Sequence, residues 1–303
     1  MKNTTADKPR GIQWTLFSKL EDLDFADDLA LLSSSHNHIQ EKTNRLCRFA
    51  QQTGLTINEK KTQIMKINNT IQNTVTIKDH HIEEVDDFTY LGSLLSKEDS
   101  TSKDIKSRLN KARTAFAKLR PIWKSQQYSL RTKLKLYNSN VKSVLLYGSE
   151  CWRETQADMN KLSSFHNGCL RKICKIFWPE IISNADLFKK TNSLDIVIEI
   201  RRRRMRWLGH VLRMPQESIP KVALRWTPQG KRNRGRPKTT WRRTVLADLE
   251  KENLTWGEAE KKAKNRTEWR SFVAALCPRG DEYCTYCTFV CIGQYENKIE
   301  ILT

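Results

Sequence analysis

The chain has 303 residues, 38% of them apolar and 29% charged, which allows one large or two modest cores under a wide wet surface. Its formal charge is +20 and unevenly placed: residues 1–100 hold 12 Lys/Arg against 15 Asp/Glu, a net of −3, and residues 101–303 hold 42 against 19, a net of +23. No apolar run approaches a membrane span and no basic-then-apolar leader opens the chain, so the expectation is an intracellular protein, nuclear or cytoplasmic, whose second part meets a polyanion, best a nucleic acid.

In chain order, residues 22–33 read Asp-Leu-Asp-Phe-Ala-Asp-Asp-Leu-Ala-Leu-Leu-Ser. Two short apolar stretches around Asp27 and Asp28 predict a tight β-hairpin with both carboxylates at its turn. Ile39, Leu46, Phe49 and Ala50 at helical spacing predict a helix over 37–54, ended by Gly54. Strand-like runs follow at 63–67, 75–77 and 88–91. The clearest helix covers 102–124, where Ile105, Leu109, Ala112, Phe116, Leu119 and Trp123 form one stripe. Lys106, Lys111 and Arg113 belong to its cationic remainder, in which Asp104 is the one acid. Helices are predicted over 129–146 and 156–177, and the three stripes imply a small bundle.

After Pro179 the character changes. Residues 201–243 hold 15 Lys/Arg and one acid, Glu217, which predicts a polyanion-binding segment. Gly230–Lys238 is expected to be an exposed loop. Helical patterns return over 239–252 and 265–276, and 277–303 is expected to lack regular structure.

Adjacent carboxylates at a hairpin turn suit two-metal phosphoryl chemistry, in which two divalent ions roughly 3.5–4 Å apart activate an attacking oxygen and neutralise the leaving group. Turns are rich in Asp for local reasons, so the pair alone is a weak sign. Phe25 before it and Leu29, Leu31 and Leu32 after it strengthen the sign, because a merely solvated turn does not need them.

Phe25-Ala26-Asp27-Asp28 resembles the catalytic core motif of LINE-type (non-LTR) retrotransposon reverse transcriptases. Gly54-Leu55-Thr56-Ile57-Asn58 with Lys60-Lys61-Thr62 is similar to the next block of that family's palm, and Phe88-Thr89-Tyr90-Leu91-Gly92 to the block after it. Leu145–Glu150 and Arg234-Gly235-Arg236-Pro237 with Trp241-Arg242-Arg243 resemble its downstream region. The order of these short motifs, over about residues 10–277, is more specific than any one of them.

The resemblance implies an α+β fold: a partial palm over 1–100, an all-α thumb over 101–180 and a basic helical extension over 181–276, and it fades over the tail, 277–303. It implies that Asp27 and Asp28 hold Mg²⁺ (or Mn²⁺), that Lys61 lies near the incoming nucleotide's phosphates, and that Tyr90, Leu91 and Gly92 grip the primer end. RNA template, DNA primer and the element's own transcript are the implied partners; oligomeric state is not legible. The family's further catalytic Asp lies on an earlier strand, and only 26 residues precede Asp27 here, so an incomplete metal site and no polymerase activity from this chain alone are expected. The alternative is a non-catalytic RNA- or DNA-binding protein derived from such an element.

Lys106, Lys111 and Arg113 are expected on phosphates, which position without reading sequence. Arg201, Arg202, Arg203, Arg204 and Arg206, beside Trp207, suit single-stranded or structured RNA, since guanidinium binds phosphate bidentately and both groups stack on bases. A solvated face with Trp207 and Trp241 in a small core is the plainer alternative. Arg234 and Arg236 resemble an AT-hook core, with minor-groove reading and general phosphate contact both open. Cys277, Cys284, Cys287 and Cys291 contain one Cys-x-x-Cys, but their spacing is not that of a common zinc ribbon, and zinc is not expected.

Overall fold

A computed structural model describes residues 8–67, 73–78, 80–227 and 239–276. They form an α+β chain in which short strands come early and helices follow. They divide into two compact units, one of 8–100 with 215–227 and one of 101–214 with 239–276. No helix among the described residues is long and apolar enough to cross a membrane.

The first unit is built from two-stranded ribbons and one long helix. The antiparallel ribbons pair β1 (Ile12–Gln13) with β2 (Lys19–Leu20), β3 (Asp22–Phe25) with β4 (Asp28–Leu31), β6 (Thr76–Ile77) with β7 (His80–His81), and β9 (Asp87–Tyr90) with β10 (Ser93–Ser96). A parallel ribbon pairs β5 (Gln63–Ile64) with β8 (Glu83–Glu84). Helix α1 (His36–Gln52) covers a small core in which Val75, Ile77 and Ile82 are buried and Ile39, Cys47, Ile57 and Ile64 pack around them. The helix ends two residues before Gly54, whose φ of 74° turns the chain in the left-handed region. Helix α8 (Ile219–Ala223) belongs to this unit too: Trp226, just beyond it, donates its indole N–H to the Gln13 carbonyl (2.9 Å) and lies on Trp14 with ring centroids 5.4 Å apart.

The second unit is all helix among its described residues. Helix α2 (Ser100–Lys118) gives way to α3 (Arg120–Lys124) at Pro121, which cannot donate within a helix, so the single helix expected over 102–124 is two. Helix α4 (Leu130–Tyr137) runs through a π turn (Asn138–Lys142) into a last helical turn at Ser143–Leu145. Helix α5 (Gln156–Ile173) is capped by Thr155, α6 (Asn184–Thr191) by Ser183 and α7 (Ile196–Arg213) by Asp195, each side chain accepting a backbone N–H of the first turn. Helices α9 (Trp241–Glu250), α10 (Trp256–Lys264) and α11 (Arg266–Ala275) complete it.

The helices expected as a thumb and a separate extension share one core. Ile196 and Ile200 of α7 are buried with Ile105 and Leu109 of α2, Tyr137 and Val141 of the α4 run, and Leu162 and Leu170 of α5. The reason is the apolar stripe of α7, which continues through Met205, Leu208, Val211 and Leu212 beneath its many arginines.

Candidate functional site

The Asp27–Asp28 turn is formed as its sequence predicts. Phe25 and Asp28 are the last paired residues of the hairpin, and Ala26 takes φ 52° in the two-residue turn between them. The register puts Asp28 on one face with Leu23, Phe25 and Ala30, and Asp22 and Asp24 on the other with Leu29 and Leu31. Asp27 and Asp28 are both exposed.

The opposite end of this hairpin is clamped by a residue that local patterning did not reveal. Lys42 of α1 is 2% exposed, and its ammonium donates to the carbonyls of Glu21 (3.0 Å) and Leu32 (2.7 Å), the residues that flank β3 and β4. It also pairs with the Glu21 carboxylate. Burial by itself would raise the Glu21 carboxyl, but the Lys42 ammonium and the Gly11 N–H (2.8 Å) hold it below the usual range. Strand and helix are thus fixed to each other, and the free end that carries the aspartates is aimed from a rigid base.

A second hairpin comes against the first. Leu91 (φ 48°) and Gly92 (φ 79°) form the turn between β9 and β10, both in the left-handed region that a tight hairpin turn demands. Tyr90, beside that turn, is 9% exposed and donates its hydroxyl to the Leu23 carbonyl at 3.4 Å. Burial, and then the charges of Asp28 and Asp24, push its phenol above the ordinary range. The Asp-Asp segment and the Tyr90-Leu91-Gly92 segment, 62 residues apart at Asp28 and Tyr90, are therefore neighbours. Lys61 is exposed in a separate turn, where its backbone N–H donates to the Asn58 carbonyl (3.1 Å).

The resemblance implies a divalent metal at Asp27 and Asp28. The pair offers the hard oxygen donors that Mg²⁺ takes. Among the described residues no three His, Cys, Asp or Glu side chains converge where an ion could sit. An ion there would take its remaining ligands from water and phosphate, as Mg²⁺ commonly does.

In the second unit, Lys106, Lys111 and Arg113 of α2 are exposed, Arg113 with one hydrogen bond to Asn110 on its own helix (3.0 Å). Arg108 is turned inward, near Asp104 (3.7 Å) and over the Tyr147 ring (4.3 Å). The arginine run on α7 corrects the expectation from sequence. Arg204 is 0% exposed and pairs with Asp248 and with Glu154 (3.3 Å), so its guanidinium is not available to a phosphate. Arg202 is buried as well. Arg201 meets Glu252 (2.8 Å) and the Asp248 carbonyl (2.7 Å), and Arg203 meets Glu199 (3.5 Å) and the Leu146 carbonyl (3.1 Å). Of the five, Arg206 alone is exposed. The cause is the helix itself: a stripe buried on two sides carries arginines in with it, and the acids that meet Arg201 and Arg204 come from distant segments. Arg234 and Arg236, the Gly230–Lys238 loop and the Cys277–Cys291 cluster lie outside the described residues.

One further buried polar group lies on α5. His166 of α5 is 0% exposed, its Nδ1 lies 2.8 Å from the Tyr137 hydroxyl, and its ring stacks on Phe188. Burial, and then the Lys142 charge, bring its imidazole down to about 4. Nearby Glu199 would be raised by burial, but Lys142 (2.9 Å) and Arg203 hold it at about 2. Histidine beside Phe165 and Cys169 signals a buried site, but its hydroxyl partner, on another helix, leaves no local trace.

Residues 13–95 match the family described as reverse transcriptase (RNA-dependent DNA polymerase), a span that holds both hairpins. Residues 115–147 match a domain of unknown function (DUF6451). A curated Caenorhabditis elegans protein, named an uncharacterized transposon-derived protein, is 24% identical over 269 residues, covering 84% of this chain and 95% of its own length. No solved structure matches. Over residues 13–95 the chain is thus similar to reverse transcriptases, and over most of its length to a transposon-derived protein.

Proposed function

We propose that this chain is a LINE-type reverse-transcriptase derivative that holds template–primer nucleic acid: a partial palm over 1–100, a thumb over 101–180 and a basic extension over 181–276. The reading rests on one observation, the Tyr90 hydroxyl set against Leu23 beside the charges of Asp24 and Asp28. That contact joins the segment that would meet the nucleotide to the segment that would meet the primer. Asp27 and Asp28 offer oxygens to Mg²⁺ or Mn²⁺, which, bound with nucleotide phosphates, would neutralise the leaving group. Tyr90, Leu91 and Gly92 present a rigid turn to the primer end, and Lys61 offers charge to the triphosphate. Lys106, Lys111, Arg113 and Arg206 contact backbone phosphates without reading sequence.

A second reading, binding of RNA or DNA without catalysis, is favoured by the exposed cations Lys106, Lys111, Arg113 and Arg206, which need no metal to meet phosphates. Primer extension on an RNA template with Mg²⁺, repeated with Asp27→Ala and Asp28→Ala, separates the two. Extension abolished by either substitution supports the polymerase; extension that survives both sinks the metal assignment. Absence of extension, with steeply salt-dependent binding that Asp27→Ala leaves alone, supports the second reading. Binding no steeper in salt than that of a neutral protein would remove the basis of both.

A further inference from the structure

The loop between α5 and α6 shows its apolar side chains to solvent from a rigid frame. At its first foot Lys175 takes φ 58°, the Ile176 N–H donates to the Arg171 carbonyl (3.0 Å) and the Lys175 N–H to the Lys172 carbonyl (3.3 Å), closing the helix in a Schellman motif. Ile176 is buried there. At the second foot Ile182 packs against the same core, and the Arg171 guanidinium donates to the Ile182 carbonyl (3.3 Å) and to Asn184 Oδ1 (2.7 Å). Between the feet the Glu180 N–H donates to the Phe177 carbonyl (2.9 Å), which leaves Trp178 and Pro179 at the tip.

Trp178 is 87% exposed, Phe177 60% and Ile181 85%. Three large apolar side chains out of five consecutive residues, on a fixed turn, are unusual on a surface that no described residue covers. Their neighbours are cationic. Lys172, Lys175, Lys189 and Lys190 are all exposed, and Lys190 lies close enough to the loop's first residue, Cys174, to act on its thiol. Of the two acids in the stretch, Asp186 is engaged by the Ser183 hydroxyl (2.6 Å), and Glu180 stands next to the tip.

We propose that this loop is a stacking site for single-stranded nucleic acid, in which Trp178, with Phe177 beside it, takes the face of an unpaired base while Lys175 and Lys190 meet the flanking phosphates. The proposal deepens the nucleic-acid-binding reading and rests on it. An indole on a fixed turn loses little freedom when a base stacks on it, and every base has a face to offer, so the contact selects unpaired strands over duplex rather than one sequence over another. A lipid surface fits less well, because Glu180 would have to follow Trp178 into it.

The test is anisotropy titration of the full chain with a fluorescein-labelled single-stranded RNA of mixed sequence and with the same strand in a blunt duplex. Trp178→Ala is expected to weaken single-strand binding about 5- to 100-fold and duplex binding far less, and Trp178→Phe to retain most of the affinity. Lys175→Gln and Lys190→Gln should each lower the salt slope on single strands by about 0.7. An exposed tip should leave the circular dichroism of these variants unchanged; if Trp178→Ala loses its fold, Trp178→Phe set against Trp178→Gln carries the comparison. Unchanged single-strand affinity in Trp178→Ala overturns the stacking site and leaves the general reading standing, as does equal weakening on strand and duplex. Loss of binding to phosphatidylserine vesicles without loss on RNA assigns the loop to a lipid surface and overturns the proposal. If the unmodified chain binds neither strand nor duplex, the proposal and the general reading fall together.

Discussion

Leu91 sits where a side chain is least welcome. Its φ of 48° in the β9–β10 turn brings Cβ close to the following carbonyl oxygen, a strain of about 1–2 kcal/mol that glycine would not carry. Leu91→Gly should therefore stabilise the first unit by about 1 kcal/mol, read as a higher midpoint in urea denaturation followed by circular dichroism. If Leu91 also touches the primer end, the same variant should bind template–primer less tightly while folding better. A variant that gains neither stability nor loses binding would show the turn relaxed and the side chain idle. At this scale the sequence was legible where chemistry is local. The Asp27–Asp28 turn announces itself by residue type and flanking strands, whereas Leu91 reads as the end of a strand over 88–91 and turns instead. Lys42 does not announce itself, because its partners Glu21 and Leu32 lie 21 and 10 residues away and no periodicity connects an ammonium to two carbonyls.

Elements meet at points that single residues decide. A Cβ added at Gly209 would stand 2.0 Å from Nε1 of Trp269, whose indole N–H donates to the Met205 carbonyl (2.9 Å). Gly209→Ala gains about 1 kcal/mol of helix propensity on α7 but must expel the Trp269 ring of α11, a larger cost of about 2–3 kcal/mol. A net fall in stability and a changed tryptophan emission are expected; an unaffected protein would show that α11 does not dock as described. The link between α4 and α5 carries a titration. His166 stays neutral in the folded protein down to about 4, while in the unfolded chain it takes a proton below about 6.5. Acid therefore favours the unfolded chain as pH falls from about 6.5 to about 4, by up to about 3 kcal/mol at the lower end. Glu199, held at about 2, extends the same trend: its contribution is present above 4.5 and lost as pH falls towards 2. Urea midpoints taken between pH 7 and 4 should fall in the unmodified protein and fall less in His166→Leu; parallel curves would assign the acid sensitivity elsewhere. Periodicity located α2 and α5 well. It passed over the Pro121 break, and it missed α7 and α10 because dense charge hid their stripes of Ile196, Ile200 and Leu208 and of Ala259 and Ala263.

At the scale of the whole molecule, net charge survives the comparison of sequence with structure better than the assignment of individual cations. A charge of +20 attracts polyanions however its arginines are paired, because ion pairs change where charge sits and not how much there is. The run Arg201–Arg206 could not be sorted from sequence, since Glu154, Asp248 and Glu252, which take up Arg201 and Arg204, lie 44 to 51 residues away in the chain. Two variants separate the two kinds of arginine. Arg206→Gln, at an exposed position, should leave stability within about 0.5 kcal/mol and lower the salt slope of duplex binding by about 0.9, the share of one phosphate contact. Arg204→Ala leaves Asp248, itself 2% exposed, without its main partner, and should cost about 3–5 kcal/mol of stability while leaving the slope of whatever remains folded unchanged. Denaturation curves and binding measured at several salt concentrations on the same preparations give both quantities. A reversed pattern, with Arg204→Ala stable and weak in binding, would mean that α7 turns its arginines outward, and the shared core of the second unit would then be wrong.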